Sequence, residues 1–227
     1  MKSIKVRITL VIIVVLLLSI VSFANAYGKA SPGVLPPSSQ VQGLTLGAWS
    51  AVWWQHMLAI PASENPAFGN PWTDCYFGQV GNVGLGVAFM LPNNGTFSCE
   101  MPAGMMLLIP LATTECSTLE PDPFHGDNEE ELRACASGFT ISDLQASIDG
   151  NEIQNLTDYL FLSPMYDFTV PEDNILGVPA GSGQSVAYGA WLMLKPLTPG
   201  EHTVNIHSAF PDFELTFDWT YEISVIR

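Results

Sequence analysis

Apolar residues recur along this chain at two spacings, one helical and one of strands. Leu46, Trp49, Trp53, Met57 and Ile60 lie three and four apart, which stacks them on one face of a helix. The pattern predicts a helix over 45–60, stopped by Pro61. Trp49, Trp53 and Trp54 fall within it. Aromatics at helical spacing bury against a sheet more often than they form a platform for sugar rings, so core packing is expected.

Beyond this helix strand patterns dominate. The short apolar runs 83–91 and 105–112 are bounded by Gly and Pro and suit buried strands. Pro110 places the second at a sheet edge or a bulge. Asp149-Gly150-Asn151 interrupts two β-like runs within 144–153, a hairpin signal. The runs 185–195 and 201–208 flank a second turn at Pro199-Gly200. At the C-terminus Phe213, Leu215, Phe217, Trp219, Tyr221, Ile223 and Val225 alternate with polar residues. That predicts a long strand with one buried face and one wet face. A slip of one residue would bury Glu214, Asp218 and Glu222, so its register is well specified. A short helix is expected over 127–137, capped by Asp127 or Asn128, with Glu129, Glu130 and Glu131 in its first turn.

These elements predict a mainly β protein: an antiparallel β-sandwich, Ig-like or jelly-roll-like, with an N-terminal helix and one short additional helix. A single domain over 44–227 is expected. Residues 27–43 are rich in Pro, Gly, Ser and Gln and read as a flexible arm.

The first 26 residues read differently. Lys2, Lys5 and Arg7 precede a nearly all-aliphatic stretch, 8–23, and Ala24-Asn25-Ala26 follows. This is the pattern of a secretory signal, with cleavage after Ala26 and a mature chain beginning near Tyr27. The rival reading is a retained membrane anchor, for which the apolar stretch is short. The expected location is secreted or cell-surface.

Charge narrows the partners. Seven basic residues stand against 22 acidic ones, a net charge of −15. Without Lys2, Lys5 and Arg7 only Lys29, Arg133, Lys195 and Arg227 remain basic; four minus 22 leaves −18. Such a field repels a phosphate backbone, so nucleic acid is not expected as a partner. A membrane is expected only if the leader is retained. Carbohydrate or another extracellular protein is the expected partner class.

Cys75, Cys99, Cys116 and Cys135 allow three pairings and contain no C-x-x-C. In an oxidising compartment nearest neighbours are expected to pair, Cys75–Cys99 and Cys116–Cys135. Each bridge closes a loop of roughly 20 residues, worth about 3 kcal/mol in the chain-entropy model.

Candidate chemistry is sparse. His202 and His207 lie five apart, so on a strand they face opposite sides and cannot share a metal without a bulge between them. Asp218 and Glu222 share a strand face but sit roughly 13 Å apart, too far for a glycosidase pair. Gly181-Ser182-Gly183 lacks the nucleophile-elbow pattern. Asp122, Asp127, Asn128 and Glu129 surround His125 and offer a weak calcium site, although the spacing is not that of an EF-hand. No other cofactor is expected. Asn94 and Asn155 begin sequons.

Several stretches together, Trp53-Trp54, Cys75 with Gly78-Gln79, Cys99 to Gly104, Ile109-Pro110, Trp191 to Leu197 and Pro199 to Thr203, form a W-W…C…P-A-G…P-G-x-H-T order. In this the chain resembles an uncharacterised group of exported prokaryotic proteins. The resemblance implies export and a single domain, and no activity. With no nucleophile–base pattern in view, the expected function is a non-enzymatic extracellular binding or surface-associated module. The alternative is an extracellular hydrolase acting on polysaccharide or another polymer, its carboxylates gathered from distant strands.

Overall fold

The C-terminal alternation becomes a twelve-residue strand whose apolar positions, Phe217, Trp219, Tyr221, Ile223 and Val225, are all buried. In this computed structural model, which describes residues 33–68, 73–88 and 95–227, it is the last of thirteen strands. The leader, the Ala26 cleavage point and Asn94 lie outside the described residues. Residues Ser31–Arg227 form one compact unit.

The described residues are mainly β, with more than one sheet and two α-helices. In chain order the strands are β1 (Gln40–Val41), β2 (Leu44–Thr45), β3 (Tyr76–Val80), β4 (Val83–Gly86), β5 (Gly95–Pro102), β6 (Met106–Ser117), β7 (Ser142–Ile148), β8 (Asn151–Glu152), β9 (Leu160–Leu162), β10 (Tyr166–Val170), β11 (Gly181–Leu194), β12 (Gly200–Phe210) and β13 (Leu215–Ile226). The helices are α1 (Leu46–Leu58) and α2 (Glu129–Gly138).

One large sheet runs β10-β11-β6-β4-β3, with β9 also paired to β11. The other runs β5-β13-β12-β7-β8. Most pairings are antiparallel, as the pattern predicts. Two are parallel, β4 with β6 and β5 with β13. Neither was legible, because parallel partners come from distant stretches that share no turn.

Side-chain alternation and turn chemistry explain most of this. Asp149 and Gly150 take φ of 50° and 74° at the β7–β8 hairpin, the left-handed pair that an Asp-Gly turn supplies. Pro110 sits opposite Trp191 where the β6–β11 register shifts, so the residue without an N–H occupies a bulge. β6 and β11 are buried along most of their length, as befits central strands.

α1 is capped by Thr45, whose hydroxyl accepts the Ala48 N–H at 3.2 Å. It lies against β10 and β11. Gly47 permits that seat, since a Cβ there would stand 2.8 Å from the Leu162 carbonyl oxygen. All three tryptophans are buried, as expected. Trp49 Nε1 donates to Val41 O and Trp53 Nε1 to Gly86 O, at 3.0 and 2.8 Å. The two large sheets share one hydrophobic core and are joined by hydrogen bonds, Ser208 Oγ to Leu111 O at 2.9 Å and Tyr221 to Val87 O.

One expectation needs correction. From Gly33 onward the Pro- and Gly-rich segment is not an arm. Leu35 N–H donates to Met193 O, Lys195 N–H donates to Gly33 O, and Val34 is buried in the core. Composition suggested flexibility, but backbone pairing to the end of β11 and one buried valine hold the segment down.

Both disulfides pair as expected, Cys75–Cys99 and Cys116–Cys135, with Cα separations of 5.0 and 6.1 Å. Bridges of this kind suit an oxidising, extracytoplasmic environment. No helix among the described residues is long and apolar enough to cross a membrane.

Candidate functional site

The residues that converge on one cleft are far apart in sequence. Trp53 and Trp54 come from α1, Pro110 to Glu115 from β6, Glu120 and Phe124 from the loop after β6, and Phe217 and Trp219 from β13. The cleft holds about 450 Å³. That is within the range of small-molecule sites. Its walls are chiefly apolar.

Aromatic rings form a chain along it. Phe124 and Phe213 stack at 5.9 Å, Phe213 lies 6.5 Å from Phe210, Phe210 meets Phe217 edge-on at 5.9 Å, and Phe217 lies 5.7 Å from Trp219. Their sources are a loop, a 3-10 turn (Pro211–Phe213) and two strands. Trp54 Nε1 is tied to Thr113 Oγ1 at 3.1 Å, which fixes its ring at the wall. Such rings present large, rigid apolar area.

Two carboxyls break the apolar lining. In β6, Cys116 packs with Val186 and with Leu132 and Ala136 of α2. Alternation therefore turns Glu115 to the opposite face, toward the main core. Registered rows place Tyr166 beside Ser185 and Ser185 beside Ser117, across β10, β11 and β6. Ser185 donates its hydroxyl to Glu115 Oε2. Glu115 Oε1 is buried and meets no donor among the described residues.

Glu120 lies against Glu115 from the following turn. Ser117 organises that turn: its Oγ donates to Glu120 Oε2 at 2.8 Å and accepts the Glu120 N–H at 3.3 Å. Burial pushes the Glu115 carboxyl well above its ordinary range, and the Glu120 charge pushes it further against the opposing Ser185 bond. Burial also raises Glu120, while its bonds to Glu115 and Ser117 and the nearby His125 oppose the rise. Two adjacent carboxyls in a dry site hold one proton between them more readily than two charges.

The sequence-derived candidates sit elsewhere. Asp122, Asp127, Asn128 and Glu129 are not drawn around a common point. Asp127 accepts from His125 at 3.1 Å. Asn128 caps α2 by accepting the Glu131 N–H at 3.1 Å, and Glu129 pairs with Arg133 at 2.8 Å. No group of three or more His, Cys, Asp or Glu suited to a metal ion occurs among the described residues.

His202 and His207 are separated, as alternation predicts. His202 Nδ1 lies 2.8 Å from Asp149 Oδ2, and His207 Nδ1 lies 2.6 Å from Asp218 Oδ1. Glu222, on the same face as Asp218, accepts from Ser98 at 2.7 Å. His207 and Asp218 line a second, polar groove on the β5-β13-β12-β7 face, of about 810 Å³.

Sequence reasoning did not find Glu115. The apolar run ends at 112, whereas β6 continues to Ser117. The available signal was Thr113-Thr114-Glu115-Cys116-Ser117, a strand-like stretch with a lone acid beside a disulfide cysteine.

No family model matches this chain, and no curated protein matches it. Among solved structures the chain is similar to PbICP-C in its complex with falcipain-2, at 10% identity. The match covers 68% of this chain and 100% of that one with a TM-score of 0.24, too low to bear on fold or function.

Proposed function

We propose that this protein is an exported, non-enzymatic binding module that takes a small apolar ligand into the aromatic cleft. The two sheets would act as the faces of a β-sandwich, with the cleft opening between β6 and the C-terminal end of the aromatic chain. The observation that supports this most is the composition of the cleft. About 450 Å³ of space is walled by Trp, Phe, Leu and Ile, with polar character confined chiefly to Thr113, Thr114 and the two carboxyls. A largely apolar pocket with a few convergent polar groups is the form that small-molecule sites take.

The alternative, a hydrolase, draws support from one feature only, the proton-sharing carboxyls. They are electrostatic neighbours, but Glu115 is 5% exposed and closed to a polymer. The serine hydroxyls beside them, Ser117 and Ser185, are fully buried and out of reach of a polymer. Binding is therefore the better reading.

The test uses N-phenyl-1-naphthylamine, a neutral dye whose emission rises in apolar surroundings. The protein isolated from its host should bind it saturably. Leu176→Arg, which projects a charged chain from the cleft wall, should abolish the rise. No saturable signal in the parent protein would end this reading.

A further inference from the structure

One polar atom in the cleft wall is left without a donor. Glu115 is 5% exposed, Ser185 serves its Oε2, and its Oε1 is buried with no donor among the described residues. The group beside it, Glu120, is another carboxyl, already holding the Ser117 hydroxyl at 2.8 Å. Both line the cleft. Ionised carboxylates only accept, so the pair needs a proton between them or a donor from outside.

Resting on the binding reading above, we propose that the cleft recognises ligands that carry a primary ammonium on an apolar, aromatic-sized body, with the ammonium seated on Glu115 and Glu120. An ammonium offers three donors and no acceptor. It can serve the pair through charge-assisted bonds. A ligand carboxylate or phosphate would meet two acceptors and be rejected. The net charge of −15 adds a long-range field that draws cations.

The groups facing the pair set its pH response. Tyr166 and Ser185 lie beside Glu115; Ser117 and His125 lie beside Glu120; Asp127 holds His125, and Asp122 is near it. Tyr166 stays protonated, because burial raises it well above its ordinary value. His125 is raised by its bond to Asp127, so at low pH it adds a competing positive charge. When the ammonium enters, the proton shared by the carboxyls passes to solvent and N–H donors replace it. Ammonium binding therefore strengthens as pH rises through the titration of the pair and of His125.

The experiment is calorimetric titration of the protein isolated from its host with tryptamine and with indole-3-propionate, in two buffers of different ionisation enthalpy. Tryptamine should bind about tenfold or more tightly, the worth of one hydrogen bond to a charged group. Its binding should release protons at any pH where the pair still holds one, read from the buffer dependence of the heat. In Glu115→Gln and in Glu120→Gln the preference should fall toward parity. The parent comparison needs no variant, so a misfolded variant does not spare the proposal. Equal binding of the two indoles by the parent, with the dye still bound, overturns the ammonium assignment alone. Preference retained in both variants also overturns it. Failure of dye and both indoles together overturns the binding reading with it.

Discussion

Ser185 on β11 donates its hydroxyl to Glu115 on β6, across a ladder in which Ser185 faces Ser117 and Ala187 faces Glu115. That bond satisfies Oε2 and leaves Oε1 with no donor among the described residues. A cost follows whenever both carboxyls ionise. A carboxyl whose pKa is raised by folding contributes most below its unfolded value, here 4.5, and the contribution is lost as pH rises through the folded value.

The first prediction is drawn from this sign. Glu115→Gln keeps a donor between residues 115 and 120 at every pH. Above pH about 4.5 the parent should lose stability relative to this variant, by on the order of 1–3 kcal/mol once the pair is fully ionised, the cost of a buried polar atom left unpaired. Chemical denaturation across pH checks it. A constant difference at all pH values would contradict the proton-sharing pair.

The Asp149–His202 contact makes an independent prediction. Burial opposes the charge on each partner, but the 2.8 Å bond between them, with the Thr203 N–H on Asp149, lowers the Asp149 pKa and raises that of His202. Asp149 stabilises above its unfolded 3.8 and less as pH falls through its lower folded value. His202 stabilises below its unfolded 6.5 and less as pH rises through its higher folded value. The contact is therefore strongest between about pH 4 and 6.5. Asp149→Asn tolerates the left-handed turn and should flatten that window while leaving the hairpin intact. Melting curves from pH 3 to 9 read the change.

Residue parity on β13 gives a third. Trp219 is buried, and Trp219→Ala should cost about 3–5 kcal/mol. Thr220, its neighbour, faces outward and donates to Asn205 at 2.8 Å. Thr220→Ala should cost about 0.5–1 kcal/mol. Similar losses in urea unfolding would mean that both faces of this strand are buried.

The bridges supply a fourth. Cys75–Cys99 and Cys116–Cys135 span 24 and 19 residues of sequence. Replacing either pair by Ala should cost about 3 kcal/mol in the chain-entropy model. Only loss of the second should also weaken dye binding, because it anchors β6 to α2 beside the Glu120 loop. Equal effects on binding from both would contradict that assignment.

These elements differed in how far they could be read beforehand. α1, α2, the Asp149-Gly150 hairpin and β13 were legible because each is written in local spacing: helical periodicity, caps, a turn dipeptide, strict alternation. Asn128 could be read as a cap for the same reason, whereas Thr45 reads as the first residue of its helix and is in fact its cap. The pairing of β5 with β13 was not legible, since 95–102 and 219–226 are joined by no local signal. The cleft was invisible for a stronger form of that reason. Trp53, Glu115, Phe213 and Trp219 come from four elements, and only packing brings them together. Of the residues that do cluster in sequence over 120–129, Glu120 joins the cleft, while Asn128 caps α2 and Glu129 pairs with Arg133.

The most direct test of the binding reading is methyl-resolved NMR of the parent protein titrated with N-phenyl-1-naphthylamine. The account predicts saturable shifts at Leu111, Ile175, Leu176 and Leu215, which line the cleft, with Val204 and Ile223 in the core unmoved. Saturable shifts confined to residues around the polar groove, such as Leu144 and Ile153, or none anywhere, would contradict it.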